Sequence, residues 1–446
     1  MRSRLLSIWD RFRTSFWFEP TLLSLLALAL AVGTTKLDAD MDSRLSNSPW
    51  VSTSTSAATS MLSSLASTAF TLAGVSFSIT MVTLSMASAQ FGSRQLRSVI
   101  SNSIADRVMG AFIATALYCM VVLRFVRDAA ESKSPFVPQI STGVATIMGL
   151  LCLALLIWFV HEVSVNIQAP TVIAQIAAEL DASIDRLYPE KTADTAGETH
   201  SPPDVDSFSR RVMVPGSASG YIDGFDRDDL VSAAKKHDSV IFMKLRPGKF
   251  VVPEVAVACV AANHNRIDDE TDELVKTIQS LMVVGKWRSP RQDISCSVYD
   301  LVDIASRALS PGVNDPFTAM ACIDRLGAAI GRIAGRPELP TCFSDEDGNP
   351  RLVIAPVTVP QLLDDAFRMI RQYGKTSPSI SIRLIEGLKM VAAQTTRQED
   401  AHAVSRHANA IRADFFSTDP NEDDLADFNS RFDRLPQFAN TKTTKT

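Results

Sequence analysis

The chain has 446 residues, 46% of them apolar and 21% charged, with a formal net charge of −5. That length calls for at least two folding units, and the balance of charge lacks the clustered basic face that nucleic-acid binding demands. The six cysteines show no C-x-x-C spacing, so neither a zinc site nor a disulfide framework is expected, and reduced thiols suit a cytosolic domain.

Apolar sequence is concentrated in roughly the first 165 residues. Four runs there approach the ~20 residues needed to cross a bilayer, at about 16–35, 61–86, 108–126 and 141–160. The first contains Glu19 and an "ALA" at Ala29 to Ala31 that would suit a signal peptidase. Phe16, Trp17 and Phe18 lengthen that run, and three further spans follow, so a retained span is expected. Arg2, Arg4, Arg11 and Arg13 precede it, which places the N-terminus in the cytoplasm. Four spans return the chain to that side, so both termini are expected to be cytoplasmic. Arg94, Arg97 and Arg107 agree with this orientation, whereas Arg127 and Lys133 weaken the bias.

The second span, "FSITMVTLSMASAQFGSRQL" at its C-terminal half, is unusually polar. At 100° per residue, Ala69, Ala73, Ser76, Thr80, Thr83, Ala87, Gln90 and Arg94 share one face of a helix. Two readings compete. Small residues let a neighbouring helix approach closely while the hydroxyls bond backbone carbonyls. Alternatively, Ser76, Thr80, Thr83, Gln90 and Arg94 are pore-lining residues, their hydroxyls replacing part of an ion's water shell. No proline interrupts Met61 through Leu96, so one helix of about 54 Å fits the pattern.

Beyond the spans, residues 166–189 have apolar residues at helical spacing and form a juxtamembrane connector. Residues 190–207 are polar and proline-containing, as a flexible linker is. Residues 208–265 read as a small β-rich module, in which "RRVMVP", "SVIFMKL" and "EVAVACVA" are strand-like and "RPGKFVV" supplies a turn. Residues 266–417 carry successive amphipathic helices, a helical bundle, and 418–446 read as a disordered tail. The fold class expected is thus four transmembrane helices plus a cytosolic α+β domain.

Within the bundle, "LSPGVNDPFTAM" breaks one helix and starts another, with Asp315 as N-cap and Pro316 in the first turn. Structurally this is a helix corner, and Asp303 and Arg307 are spaced to pair on the preceding helix. Functionally, Ser310, Gly312, Asn314 and Thr318 are candidates for a ligand loop at the new helix's N-terminus. The Asp315 carboxylate counts against an anion there.

Catalytic groupings are missing from the pattern. "GSASG" has Ala218 where a nucleophile elbow needs serine, and no phosphate-binding glycine loop occurs. His402 and His407, five apart, do not share a helix face as metal ligands would and read as surface residues. No metal, no cofactor and no enzymatic activity are expected.

The strings "FSITMVTLSMASAQFGSRQL", "RPGKFVV", "SPRQD" and "LVDIASRALSPGVNDPFTA" together resemble a bacterial family of predicted integral membrane proteins with a domain of unknown function, over about residues 10 to 415. The family tends to have proline where Ser93 stands, and an acidic residue with a later glycine around Lys249 to Val255. The second departure counts against a ligand role for the "RPGKFVV" turn. The resemblance implies a bacterial inner-membrane location and brings no activity or catalytic residues with it. The leading expectation is an oligomeric channel or transport-related protein with a cytosolic gating or assembly domain. The alternative is a membrane-anchored sensor or scaffold. Expected partners are the lipid bilayer, further copies of the chain in a homo-oligomer, and a small ion or an unknown ligand.

Overall fold

The computed structural model describes residues 18–45, 54–91, 104–127, 136–166, 168–190, 198–199, 201–263 and 268–436. The chain divides into two compact units, residues 1–172 and 173–446.

Four long apolar helices make up the first unit: α1 (Phe18–Leu45), α2 (Thr55–Phe91), α3 (Ile104–Leu123) and α4 (Gln139–Asn166). Each is long and apolar enough to cross a membrane, with mean hydropathy 1.6, 1.6, 1.6 and 2.5. α3 is the hub, packed against α1, α2 and α4, with Phe112, Tyr118 and Cys119 fully buried. The outward faces present Leu25, Phe70, Leu150 and Ile157, the last 73% exposed, as lipid-facing surfaces do.

One polar joint fixes the ends of these helices. Asp38 of α1 is buried, and its carboxylate accepts from the Ile140 N–H (2.7 Å), the Ser141 N–H (2.9 Å) and the Ser141 hydroxyl (2.6 Å). These are otherwise orphan donors in the first turn of α4, so α1 supplies a cap that α4 lacks in its own sequence. Tyr118 adds a bond to the Ser141 carbonyl (3.2 Å) and shares another with Thr34 (2.9 Å).

The second unit begins inside α5 (Ala169–Leu187), so most of the expected connector belongs to the α+β unit. The reason lies in its apolar face: Ile173, Ile176, Leu180 and Ile184 are all buried, the spacing of a core-facing helix. Two sheets follow. The larger has strand order β1-β8-β9-β4-β6-β2, from β1 (Glu198–Thr199), β2 (Arg210–Pro215), β4 (Val240–Met243), β6 (Ala256–Ala262), β8 (Cys342–Ser344) and β9 (Pro350–Val353). β4 and β9 run parallel; the other pairings in it are antiparallel. The smaller has order β5-β3-β7, from β3 (Gly220–Phe225), β5 (Phe250–Val251) and β7 (Met282–Gly285). α6 (Arg227–Lys236), capped by Asp226, and α7 (Asp268–Leu281) cover the strands, burying Ile222, Leu230, Ile241, Val257, Ile278 and Leu352 in one core.

The remaining helices are α8 (Ile294–Ala308), α9 (Pro316–Ala334), α10 (Val359–Gly374), α11 (Pro378–Gln394), α12 (Gln398–Phe416) and α13 (Glu422–Phe432). α9 and α11 touch backbone to backbone: a Cβ on Gly327 would lie 2.9 Å from Gly387 Cα.

Three boundaries differ from expectation. β7, β8 and β9 arise beyond residue 265, so the strands and helices interleave rather than forming a β module followed by a bundle. These strands have only 3 to 4 residues, too few for a periodic signal. Within the expected linker, Glu198 and Thr199 pair with Phe343 and Cys342. The expected tail contains α13, started by Asn421, whose side chain accepts from the Asp424 N–H (2.8 Å), and held by Phe428 stacked on Phe415 at 4.2 Å. A single buried aromatic in an acidic segment is a weak sequence signal. Residues 437–446 lie outside the described residues.

Candidate functional site

The polar stripe of α2 turns inward. Ala69, Ala73, Ser76 and Ala87 are buried, Ser76 to 1% exposure, and Ala73 packs with Val108 and Phe112 of α3 and Cys152 and Phe159 of α4. The Thr80 hydroxyl donates to the Ser76 carbonyl at 2.8 Å, and Thr83 is half-buried. The Ser76 hydroxyl has no hydrogen-bond partner among the described residues. Gln90 lies in the last turn of α2, its side chain outside what is described, and Arg94 lies outside the described residues.

The helix corner takes the form its residues predict. The Asp315 carboxylate accepts from the Thr318 N–H (3.1 Å) and hydroxyl (2.6 Å), and the Ser310 hydroxyl donates to the Arg307 carbonyl (2.6 Å). Asn314 is left-handed, φ +48°, and Gly312 has open space around it. Arg307 pairs with Asp303 at 3.3 Å. The polar groups of Asp315, Thr318 and Ser310 are thus engaged within the loop, while Val313 and Phe317 are 60% and 80% exposed.

A cleft of about 400 Å³ opens elsewhere in the α+β unit. One wall is the end of α5, with Arg186, Leu187, Tyr188 and Pro189. Opposite stand Arg246 and Pro247 of the "RPGKFVV" turn and Gln292 of "SPRQD". Arg227, at the start of α6, and Phe343 of β8 form another side, the guanidinium 4.8 Å from the ring centre. Pro337 to Pro340 and Ile354 to Val357 complete it. Five prolines in the lining hold φ near its proline value, so little of this wall has to be ordered on binding. Three arginines face one acid, Glu338.

Behind the cleft, each wall is fastened. The buried Arg336 guanidinium donates to the Ile184 carbonyl (2.8 Å), to the Tyr188 carbonyl and to Asp185, closing off the C-terminus of α5. Arg332 adds ion pairs to Asp181 and Asp185. Arg186 donates to the Pro290 carbonyl (2.9 Å), and the Tyr188 hydroxyl to the Val357 carbonyl (2.9 Å). Burial pushes the Tyr188 hydroxyl far above its ordinary pKa, so it is a fixed donor. Arg246 is steadied by Gln361, 2.6 Å away.

The two sequence strings meet at Gly248. Its φ is +85°, and a Cβ there would lie 2.1 Å from an Asp293 carboxylate oxygen, so glycine is required on both counts. Asp293 is in turn clamped by Arg288 at 2.6 Å, and burial pushes its carboxyl upward against that pull. Gln292 bonds both the N–H (3.2 Å) and the carbonyl (3.0 Å) of Phe225, taking the place of a strand neighbour. Sequence reasoning singled out both strings but not Arg186, Arg227 or Arg246. Only the proline-rich spellings "RPELP" and "IAPV" hinted at rigid walls. None of Ser310, Gly312, Asn314 or Thr318 lines the cleft. His402 is exposed as expected, but His407 is buried and bonds Asp364 at 2.9 Å.

Four apolar helices joined to an interleaved α+β unit with an arginine-lined cleft define a multi-span membrane protein bearing a folded extramembrane unit. A family model described as Predicted membrane protein (DUF2254) matches residues 13–390. The chain belongs to that family. Uncharacterized proteins of Mycobacterium bovis and of two strains of Mycobacterium tuberculosis are 26% identical over 329 residues, 74% of this chain. The match spans 62% of the length of those relatives. No solved structure matches the chain.

Proposed function

We propose that the chain is a membrane-anchored sensor or scaffold of the bacterial inner membrane, with both termini cytoplasmic, whose α+β unit binds a small ligand in the cleft. The reading is non-enzymatic and needs no cofactor. The observation that carries it is the make-up of the cleft: residues 186–189, the end of the helix that follows the last span, form a wall of it. A ligand that bridges this wall and the Arg246 turn favours one position of α5 over others, and differential affinity of that kind is what shifts a conformational equilibrium.

An oligomeric channel lined by the α2 stripe is the competing reading. The unpartnered Ser76 hydroxyl favours it. The burial of Ala69, Ala73 and Ser76 and the Thr80 bond to backbone weigh against it, because they occupy the stripe with packing inside one chain.

The test is a thermal-shift screen of the purified full-length chain against neutral, anionic and cationic metabolites, repeated with Ala355→Trp. Ala355 is an exposed cleft residue, so the indole fills the site without entering the core. At least one compound class is expected to raise the melting temperature of the wild type and to lose that effect in Ala355→Trp. No shift with any class, or shifts that survive the substitution, overturns the reading.

A further inference from the structure

A second pocket, of about 240 Å³, adjoins the cleft and shares Arg246, Ile354 and Ala355 with it. Its character is different. Lys244, Arg246 and Lys249 line it together with Gln361, with no acid in its lining. The cleft, by contrast, offers apolar and aromatic walls, among them Leu339, Phe343 and Ile354.

The cations here stand apart from those nearby. Lys235 pairs with Glu346 and Asp347, Lys236 with Glu273, and Arg351 with Asp238 and Asp345. Among the described residues no ion pair joins Lys244, Arg246, Lys249 or Arg186 to a carboxylate; Arg246 lies within electrostatic reach of the buried Asp293, which Arg288 already clamps, and Arg186 within reach of Glu179. Arg246 is not a wandering surface charge either, since Gln361 holds its guanidinium, and Gln361 is itself fixed in the capping box that starts α10. A positioned guanidinium flanked by two lysines is suited to multiply charged phosphate oxygens, with the arginine supplying directed donors and the lysines point charges.

The ring-binding half has its own signature. The Arg227 guanidinium stands over the Phe343 ring, its carbon 4.8 Å from the ring centre, which puts a cation and an aromatic side chain at one side of the cleft, the groups against which a planar base packs. Its volume of about 400 Å³ falls in the range of small-molecule sites.

Resting on the binding function proposed above, we infer that the cleft and the adjoining pocket take one ligand, a nucleoside diphosphate or a close analogue. The planar base lies in the cleft, and the two phosphates reach past Arg246 to Lys244 and Lys249. The phosphates, not the base, supply most of the attraction, so pyrophosphate binds to the same pocket and a neutral nucleoside binds weakly.

The experiment is calorimetric titration of the full-length chain, held in phosphatidylcholine nanodiscs that offer no anionic headgroup, with ADP, GDP, pyrophosphate and adenosine. ADP or GDP is expected to bind, pyrophosphate to compete with it, and adenosine to bind at least tenfold more weakly. Lys244→Gln with Lys249→Gln is expected to weaken the diphosphates by tenfold or more and adenosine hardly at all. Both lysines are exposed, and an unchanged melting temperature of the double variant certifies its fold. Failure of ADP, GDP and pyrophosphate alike to bind the wild type, or binding indifferent to the two lysines, overturns the ligand class. If another compound still binds in a manner that Ala355→Trp abolishes, only the ligand class falls. If nothing binds, the sensor reading falls with it.

Discussion

Single residues in this protein are most informative where they are buried against their chemistry. His407 of α12 is enclosed by Asp364 and Arg368 of α10 and by Arg406 beside it. Burial, helped by Arg406, lowers its pKa below the ordinary 6.5, although Asp364 pulls the other way. The unfolded chain therefore takes up this proton first. Stability from His407 is complete above pH 6.5 and is lost as pH falls through the lowered value. His407→Gln, which keeps a partner for Asp364 but does not titrate, is expected to flatten the dependence of melting temperature on pH below 6.5. An unchanged slope in differential scanning calorimetry would assign the acid sensitivity elsewhere. The spacing of His402 and His407 led both to be read as surface residues, and it could not reveal that His407 faces the core. Which side of α12 is covered depends on α10, far away in sequence.

At the scale of elements, the two units are fastened by different means. In the membrane unit, Asp38 of α1 supplies the cap for α4. Asp38→Ala is expected to destabilise that junction by roughly 2 kcal/mol, read as a lower unfolding temperature in detergent, whereas an equivalent change at the exposed Asp40 is expected to do little. In the α+β unit, α9 and α11 meet through glycine. Gly327→Val forces a side chain into a space where Gly387 Cα already stands 2.9 Å from the Cβ position. The expected cost is about 1–3 kcal/mol, measured as a shift of the denaturation midpoint. Retention of the wild-type midpoint would mean that the two helices are less closely apposed than described. The long helices of both units were legible in the sequence because length and period reinforce each other, and the Asp315–Pro316 start of α9 was legible down to its capping residue, whereas the short acidic α13 was not. The short strands β7, β8 and β9 were not, since each is defined by a partner rather than by its own pattern.

For the molecule as a whole, the sequence announces a membrane protein, with which the family match agrees, and an α+β unit, which the fold contains. It also announces a polar stripe on α2. What it could not decide is which way that stripe points, because the same alternation of alanine, serine and threonine serves a packing seam or a wetted wall. In the folded chain Ala73 packs with residues of α3 and α4 and Ser76 is buried, which leaves the arginine-lined cleft as the proposed place of binding. The cleft itself was only partly legible: "RPGKFVV" and "SPRQD" stood out, but their meeting at Gly248 and Asp293, and the arrival of Arg186 from α5, are products of the tertiary fold. The departure from the family pattern near Lys249 counted against a ligand role for this turn, and the fold sets Arg246 and Lys249 around a common pocket where that role can be tested.

The central claim is that α2 seals the Ala69 to Ser76 stretch of its polar face inside the chain and leaves binding to the α+β unit. It is tested most directly by the reaction of Ser76→Cys, in nanodiscs open on both sides, with a membrane-impermeant maleimide. All six native cysteines are buried, so background is low, and Asp228→Cys on the exposed start of α6 reports full reactivity. The account predicts that the cysteine at position 76 stays unmodified while the one at 228 is consumed. Labelling of position 76 at a comparable rate would show water along the stripe and return the protein to the class of conduits.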